Sequence, residues 1–308
     1  MTRFRAIGMA MIVFLCTGCS PKPLIIAQIG GLVDEGVVAF ESDADWEMVE
    51  MALPANIKLF EALLANSPSD RQLLTLLSRL YGSYAFGFVE TRLEAITYSS
   101  TAIHSGHKNP HLLKEQVNRY YQKGLSYSLQ ALELRLPGAA KAFAKPATIA
   151  SYLEQLAAAD VPALYWYGFN LGAWANQNLD SMRAVSKSHV ARQIMQRVVE
   201  LAPDYHGGGA HLLLMVYFGG RSSMMGGSQA AASDHYQQLQ ALTAADDRLP
   251  DLFYARYCLV QQQDRAAFVT LMQSIVDQPP VDGDRALYNA IAARRAAIYL
   301  SSVDRFFD

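Results

Sequence analysis

From Ser42 onward, apolar residues recur at three- and four-residue intervals, and no run of alternating Val, Ile or Thr with hairpin turns interrupts them. That period belongs to amphipathic helices rather than strands. Ser42-Asp43-Ala44-Asp45 predicts a helix start with an acidic first turn. The helix it opens carries Trp46, Val49, Ile57, Phe60 and Leu64 on one side, and Pro54 predicts a kink within it. It stops at Asn66-Ser67-Pro68. Ser67 as N-cap and Pro68 at the first helical position predict a second helix, whose apolar side is Leu73, Leu77, Leu80, Tyr81 and Tyr84. So short a turn between two amphipathic helices makes an antiparallel helical hairpin.

The hairpins repeat. Phe60, Leu63 and Pro68 are spaced 3 and 5 apart, and Leu125, Leu129, Leu132 and Pro137 keep that order with one apolar position added in front. Ala191, Met195, Val198 and Pro203 have the same spacing, as do Ala267, Leu271, Ser274 and Pro279. This resembles the second helix of a tetratricopeptide (TPR) unit, in which small and large residues alternate and a proline ends the unit. The four prolines lie 69, 66 and 76 residues apart, or about two 34-residue units each time. The first-helix half is poorer: Leu171-Gly172 fits its Leu-Gly pair, but the segment from there to Ala191 is too long. The pattern predicts an all-α, TPR-like solenoid of helical hairpins. The alternative is an irregular helical domain with accidental proline spacing.

The first twenty residues follow a different rule. Arg3 and Arg5 precede an apolar run from Ala6 to Leu15, followed by Cys16-Thr17-Gly18-Cys19-Ser20. A basic head, a short apolar core and small residues before a cut site make a secretory signal, too short to span a bilayer. The ending resembles a bacterial lipobox, with cleavage before Cys19 and diacylglycerol on its sulfur, although Cys16 stands where that motif usually has Leu. An uncleaved anchor is the alternative. Each lipid CH₂ buried in a membrane contributes about 0.8 kcal/mol, so several chains hold a folded domain there stably. Ser20 rather than Asp after the cysteine points to the outer membrane, with the protein facing the periplasm. Residues 1–18 thus read as the signal peptide, 19–41 as a lipid-anchored segment leading into the first helix, and 42–308 as the helical domain.

Removing the signal leaves 290 of the 308 residues, enough for a large core. The formal charge of −2 becomes −4 once Arg3 and Arg5 are gone. A mildly acidic chain without a Lys/Arg block argues against nucleic acid as a partner. After cleavage and lipidation the one free thiol is Cys258, set among Tyr254, Tyr257 and Leu259, where a packed core thiol is favoured over a nucleophile. No second membrane-spanning segment fits.

Little in the chain calls for catalysis. His206-Gly207-Gly208-Gly209 is similar to the oxyanion loop of esterases, but no Gly-x-Ser-x-Gly elbow accompanies it, so it reads as a helix end and a turn into the next helix. His104, His107 and His111 have metal-like spacing, yet Ser105-Gly106 and Asn109-Pro110 break any helix between them, favouring a solvated loop over a metal site. No phosphate-binding loop or dinucleotide fingerprint occurs, and no cofactor is expected. Gly219 to Gly227 reads as a second loop.

The distinctive stretch is aromatic and sulfur-rich. Tyr165, Trp166, Tyr167 and Trp174 belong to a helix that is apolar all round, which is either buried by neighbours or lines a cavity. Met215, Tyr217, Phe218, Met224 and Met225 follow, adaptable side chains suited to a core or to an unselective apolar pocket. If the two segments face each other, they enclose a pocket without a fixed charge.

These residues, with Ala52-Leu53-Pro54, Leu73-Leu74 to Ala85, Tyr120 to Gly124, Gly209-Ala210-His211, Gly226-Gly227 and Leu287 to Ala296, resemble in order and spacing the TatT family, the T component associated with TRAP transporters. That family commonly has Pro where Ala210 stands and an acidic residue where Ser228 stands. The resemblance implies a bacterial envelope lipoprotein, a TPR-type solenoid forming a homotrimer with a central pore, and a cavity in each subunit opening toward it. It also implies association with a DctP-type periplasmic solute-binding protein and uptake of a small hydrophobic or amphipathic organic ligand. No catalytic residues carry over. Two other readings remain: an envelope scaffold without a ligand, and, more remotely, an envelope hydrolase.

Overall fold

Asp45 opens the first long helix, α1 (Trp46–Asn66), its carboxylate accepting from the Met48 N–H at 2.9 Å. That bond satisfies one of the donors a helix start leaves free. Pro54 lies inside α1, which continues through it. The second helix starts later than the sequence suggests. Asp70, not Ser67, caps α2 (Arg71–Tyr84), accepting from the N–H groups of Gln72 at 2.9 Å and Leu73 at 3.1 Å. A carboxylate on two N–H groups makes charge-assisted bonds that a serine hydroxyl does not. Residues 67–70 close a turn instead, with Asp70 N–H donating to the Ser67 carbonyl.

The computed structural model describes residues 37–98, 109–144, 146–243, 246–279 and 283–307, and within them every regular element is helical, beginning with a turn at 37–41. The signal, Cys19, His104 and His107 lie outside the described residues. α2 passes through a π-helical stretch (Ala85–Glu90) into α3 (Thr91–Tyr98). Next come α4 (Pro110–Arg135), α5 (Ala139–Ala142), α6 (Pro146–Leu153), α7 (Val161–Asn176), α8 (Met182–Leu201), α9 (Tyr205–Gly219) and α10 (Gln229–Leu242). α11 (Leu249–Phe253) runs through a second π-helical stretch (Tyr254–Leu259) into α12 (Val260–Gln262), followed by α13 (Arg265–Asp277) and α14 (Ala286–Leu300).

The periodic prolines have a clear physical role. α1, α4, α8 and α13 each end two residues before one of them: Pro68, Pro137, Pro203 and Pro279. Proline lacks an N–H and pushes its predecessor out of the helical region, so the repeat in the sequence is a set of helix stops.

α1, α2, α4, α7, α8, α9 and α10 pack one on the next, while α14 pairs with α13 and folds back onto α3. One close junction joins α2, α4 and α7. Fully buried Asn170 donates to the Ser78 hydroxyl at 3.1 Å and to its own helix at the Trp166 carbonyl. A Cβ added at Gly82 or Gly124 would stand 2.7 or 2.5 Å from Asn170 Oδ1, so only glycine lets these helices approach so closely. The fold-back of α14 is fixed by Arg295, which is fully buried, hydrogen-bonded to Glu90 at 3.1 Å, Thr91 Oγ1 at 3.0 Å and the Phe86 carbonyl, and ion-paired with Glu94 at 3.4 Å. The last helix thereby becomes a wall of the site.

Candidate functional site

α7 is apolar on every side, as its composition requires, but its sides have different tasks. Tyr165, Gly168, Phe169, Gly172, Ala173 and Asn176, spaced three and four apart, line a cavity together with Trp166. The facing wall comes from α9, with Gly209, Leu212, Leu213, Val216 and Tyr217, and from Ala191, Arg192 and Met195 of α8. The cavity has a volume of about 110 Å³, and its lining is mainly apolar. For scale, a dry engineered cavity of ~150 Å³ takes up benzene.

Both π-helical stretches contribute. Phe86 and Glu90 come from the first, and Tyr257 from the second with Phe253 just before it. Phe86 and Phe253 stack at 5.9 Å between ring centres. An extra residue in a helical turn re-aims the side chains around it, and such insertions are frequent at functional sites.

One end of the cavity is polar. The first turn of α9 is broken by three successive left-handed residues, His206 (φ 53°), Gly207 (63°) and Gly208 (72°). Two are glycine, which takes that conformation freely; for His206 it costs roughly 1–2 kcal/mol. The turn aims the imidazole inward, 5.0 Å from the Trp166 ring and 5.5 Å from that of Tyr165. Gly209 then packs so closely on α7 that a Cβ would fall 2.1 Å from the Tyr165 hydroxyl oxygen.

His206 heads a short hydrogen-bond chain. Tyr288 donates its hydroxyl proton to Glu41 Oε1 at 2.8 Å, so the 3.1 Å contact between Tyr288 and His206 Nε2 requires a proton on Nε2. Desolvation pushes the His206 pKa down to about 4; Glu41 opposes the fall, and Arg79 and Arg285 add to it. The imidazole is therefore neutral at physiological pH. Burial raises the Glu41 pKa, but His206 and Arg79 outweigh it, leaving the carboxyl below its ordinary value. Arg79 bonds Glu41, and Arg285 bonds Asp247 at 3.0 Å.

A second group of polar residues surrounds Tyr217. Its hydroxyl meets His189 Nδ1 at 2.6 Å, and the Arg221 guanidinium lies 4.3 Å from its ring centre. The 220–228 loop closes on this corner. Gly226 is left-handed (φ 85°), and a Cβ at Gly227 would lie 1.9 Å from the Arg221 carbonyl oxygen. Ser228 then caps α10, accepting from Ala231 N–H at 3.2 Å, as an acidic residue would.

Of the aromatic and methionine residues singled out by sequence, Tyr165, Trp166 and Tyr217 meet at this cavity. The others lie elsewhere. Tyr167 packs on Phe143 at 4.7 Å, on another side of α7, and Trp174 lies half-buried beside Arg183. Met215 is fully buried in the core, and Phe218 stacks on His235 at 5.8 Å. Met224 and Met225 stand on the loop, 96% and 48% exposed. Nor is the lining free of charge: Arg192, Arg221, Arg285, Asp247 and Glu90 all reach it. Sequence reasoning placed none of these at the cavity, and it read His206 only as part of a helix end and turn. Cys258 is fully buried, its thiol pushed up to about 12 by burial, and His111 is exposed at the start of α4.

A family model described as TAtT, TRAP transporter T-component, matches residues 42–307. An uncharacterized protein of Treponema pallidum (strain Nichols) is 25% identical over 311 residues, covering 95% of this chain and 94% of that one.

Proposed function

The chain belongs to the TRAP transporter T-component family, and from that premise we propose that it is a lipid-anchored envelope accessory that holds a small apolar or amphipathic molecule between α7 and α9. The T component is a transporter accessory family rather than an enzyme family, which suggests a transporter partner and an envelope location. No helix among the described residues is long and apolar enough to cross a membrane. In this reading residues 1–18 are the signal, Cys19 carries the lipid, and 19–41 tether the helical domain 42–308 at the outer membrane. The hairpins stack in TPR-like fashion, three copies surround a pore, and each cavity opens toward it. A DctP-type solute-binding protein docks there and exchanges ligand with the cavity. No catalysis is required.

The observation that supports ligand handling is the largely apolar cavity itself, enclosed by α7, α8, α9 and the start of α14. A scaffold that bound only proteins would have no use for it. The partner and the assembly are tested together by sedimentation of the full chain in lipid nanodiscs, with and without the DctP-type protein of its transporter. A trimer that gains mass on adding the partner is the expected result. A monomer with unchanged sedimentation in its presence overturns this reading.

A further inference from the structure

We propose that the ligand of this cavity carries a carboxylate head, held by Arg192 and Arg221, while its apolar body lies along α7. The inference rests on the cavity being the ligand site. It starts from an imbalance of charge. The two carboxylates of the lining are already engaged, Glu90 by Arg295 at 3.1 Å and Asp247 by Arg285 at 3.0 Å. Arg192 and Arg221 also reach the cavity, and neither has a carboxylate within 4.0 Å among the described residues. Arg192 donates to the neutral Gln196 amide oxygen at 3.1 Å, and Arg221 donates to the Tyr217 carbonyl at 2.9 Å. A guanidinium has five N–H donors, so both retain donor capacity.

The two cations converge on one ring, their central carbons 5.7 and 4.3 Å from the centre of Tyr217. His189 shares the corner, and its pKa lies below the ordinary value because of burial first, then Arg192 and Arg221. Burial likewise pulls Arg221 below the usual arginine range, opposed by Tyr217 and Tyr257. Both arginines are half-buried, and a cation partly withdrawn from water without a counter-charge is disfavoured. A ligand that brings the missing negative charge is therefore favoured, and planar guanidinium groups match a carboxylate in a paired, charge-assisted geometry. Phe169, Leu213 and Val216, elsewhere in the wall, offer an apolar body a surface without hydrogen-bonding side chains.

The test is calorimetric titration of the full chain in lipid nanodiscs, with empty discs as blank, using octanoate and 1-octanol. Octanoate should bind at least tenfold more tightly, and Arg192→Gln with Arg221→Gln should reduce that ratio to near one while leaving octanol affinity unchanged. Equal affinity of the wild type for both compounds overturns the carboxylate assignment but leaves the cavity as an apolar ligand site. Binding of neither compound retires the cavity reading as well. An octanoate preference that survives in the double variant also overturns the assignment. Loss of an uncompensated charge predicts an unchanged or higher melting temperature for that variant. If the double variant fails to fold, Arg192→Gln alone serves, with a preference reduced at least threefold expected; an undiminished preference overturns the assignment.

Discussion

Two glycines one helical turn apart on α7 should respond in opposite ways to the same change. Both line the cavity and both sit in the helix interior. Replacing such a glycine by alanine gains about 1 kcal/mol of helix propensity. At Gly172 the new methyl would lie 3.5 Å from Leu213 Cδ2 and 3.6 Å from Ala191 Cβ, ordinary contact distances, so Gly172→Ala should stabilise by most of that amount. At Gly168 it would lie 2.7 Å from Ile194 Cγ2 and 2.8 Å from Met195 Cε. The methionine terminus can swing aside, but Ile194 is fully buried and its β-branched side chain is fixed at χ1. α7 and α8 must therefore separate by several tenths of an ångström. Overpacking of this kind costs about 1–3 kcal/mol, which the propensity gain offsets only in part. The two variants should differ by roughly 1–3 kcal/mol, with wild type between them. Urea unfolding followed by circular dichroism, compared at a common slope, measures the difference. If both substitutions shift the midpoint upward by the same amount, the close packing of α7 on α8 is refuted.

Arg295→Met should cost about 3–5 kcal/mol by leaving Glu90 and Glu94 buried without their cation, and adding Glu90→Gln should restore part of it; a loss under 1 kcal/mol in urea unfolding contradicts the clamp. His206 and His235 are each held down to about 4 by burial, so between pH 6.5 and 4 the unfolded chain binds protons the folded one does not. Stability should accordingly fall as pH drops below 6.5, by up to ~3 kcal/mol for His206 and by less for His235, which solvent screens. His206→Asn, which tolerates the left-handed backbone, should flatten that decline, and an unchanged slope of urea midpoint against pH argues against a neutral buried His206. Lipidation predicts that a palmitate analogue labels the wild type and spares Cys19→Ala, and equal labelling of both sinks it.

What the sequence revealed was local. The helical period, the start near Asp45 and the proline stops depend on residues within a few positions of each other, so one chain suffices to read them. Even there a competing cap moved the start of α2, because Asp70 binds two N–H groups where Ser67 binds none. The apolar character of α7 was visible, but which of its sides faced the cavity was not, since every side carries an aromatic or aliphatic residue. The polar end was hidden for another reason. Glu41 and Tyr288 are bonded across 247 positions, with Arg79 and His206 between them in the chain, so no spacing announces the group. Nothing in the spacing of Arg192 and Arg221 marks them, because the lack of a carboxylate beside them shows only in three dimensions.

Ligand occupancy tests the proposed function most directly. The full chain, drawn from its own membranes into nanodiscs, is released in native mass spectrometry beside Ala173→Trp, which fills the cavity from its α7 wall. The wild type should carry a small organic molecule that the variant lacks, with the two proteins equally stable to heat. A wild type that carries no such molecule, or a variant that retains it, contradicts a ligand site between α7 and α9.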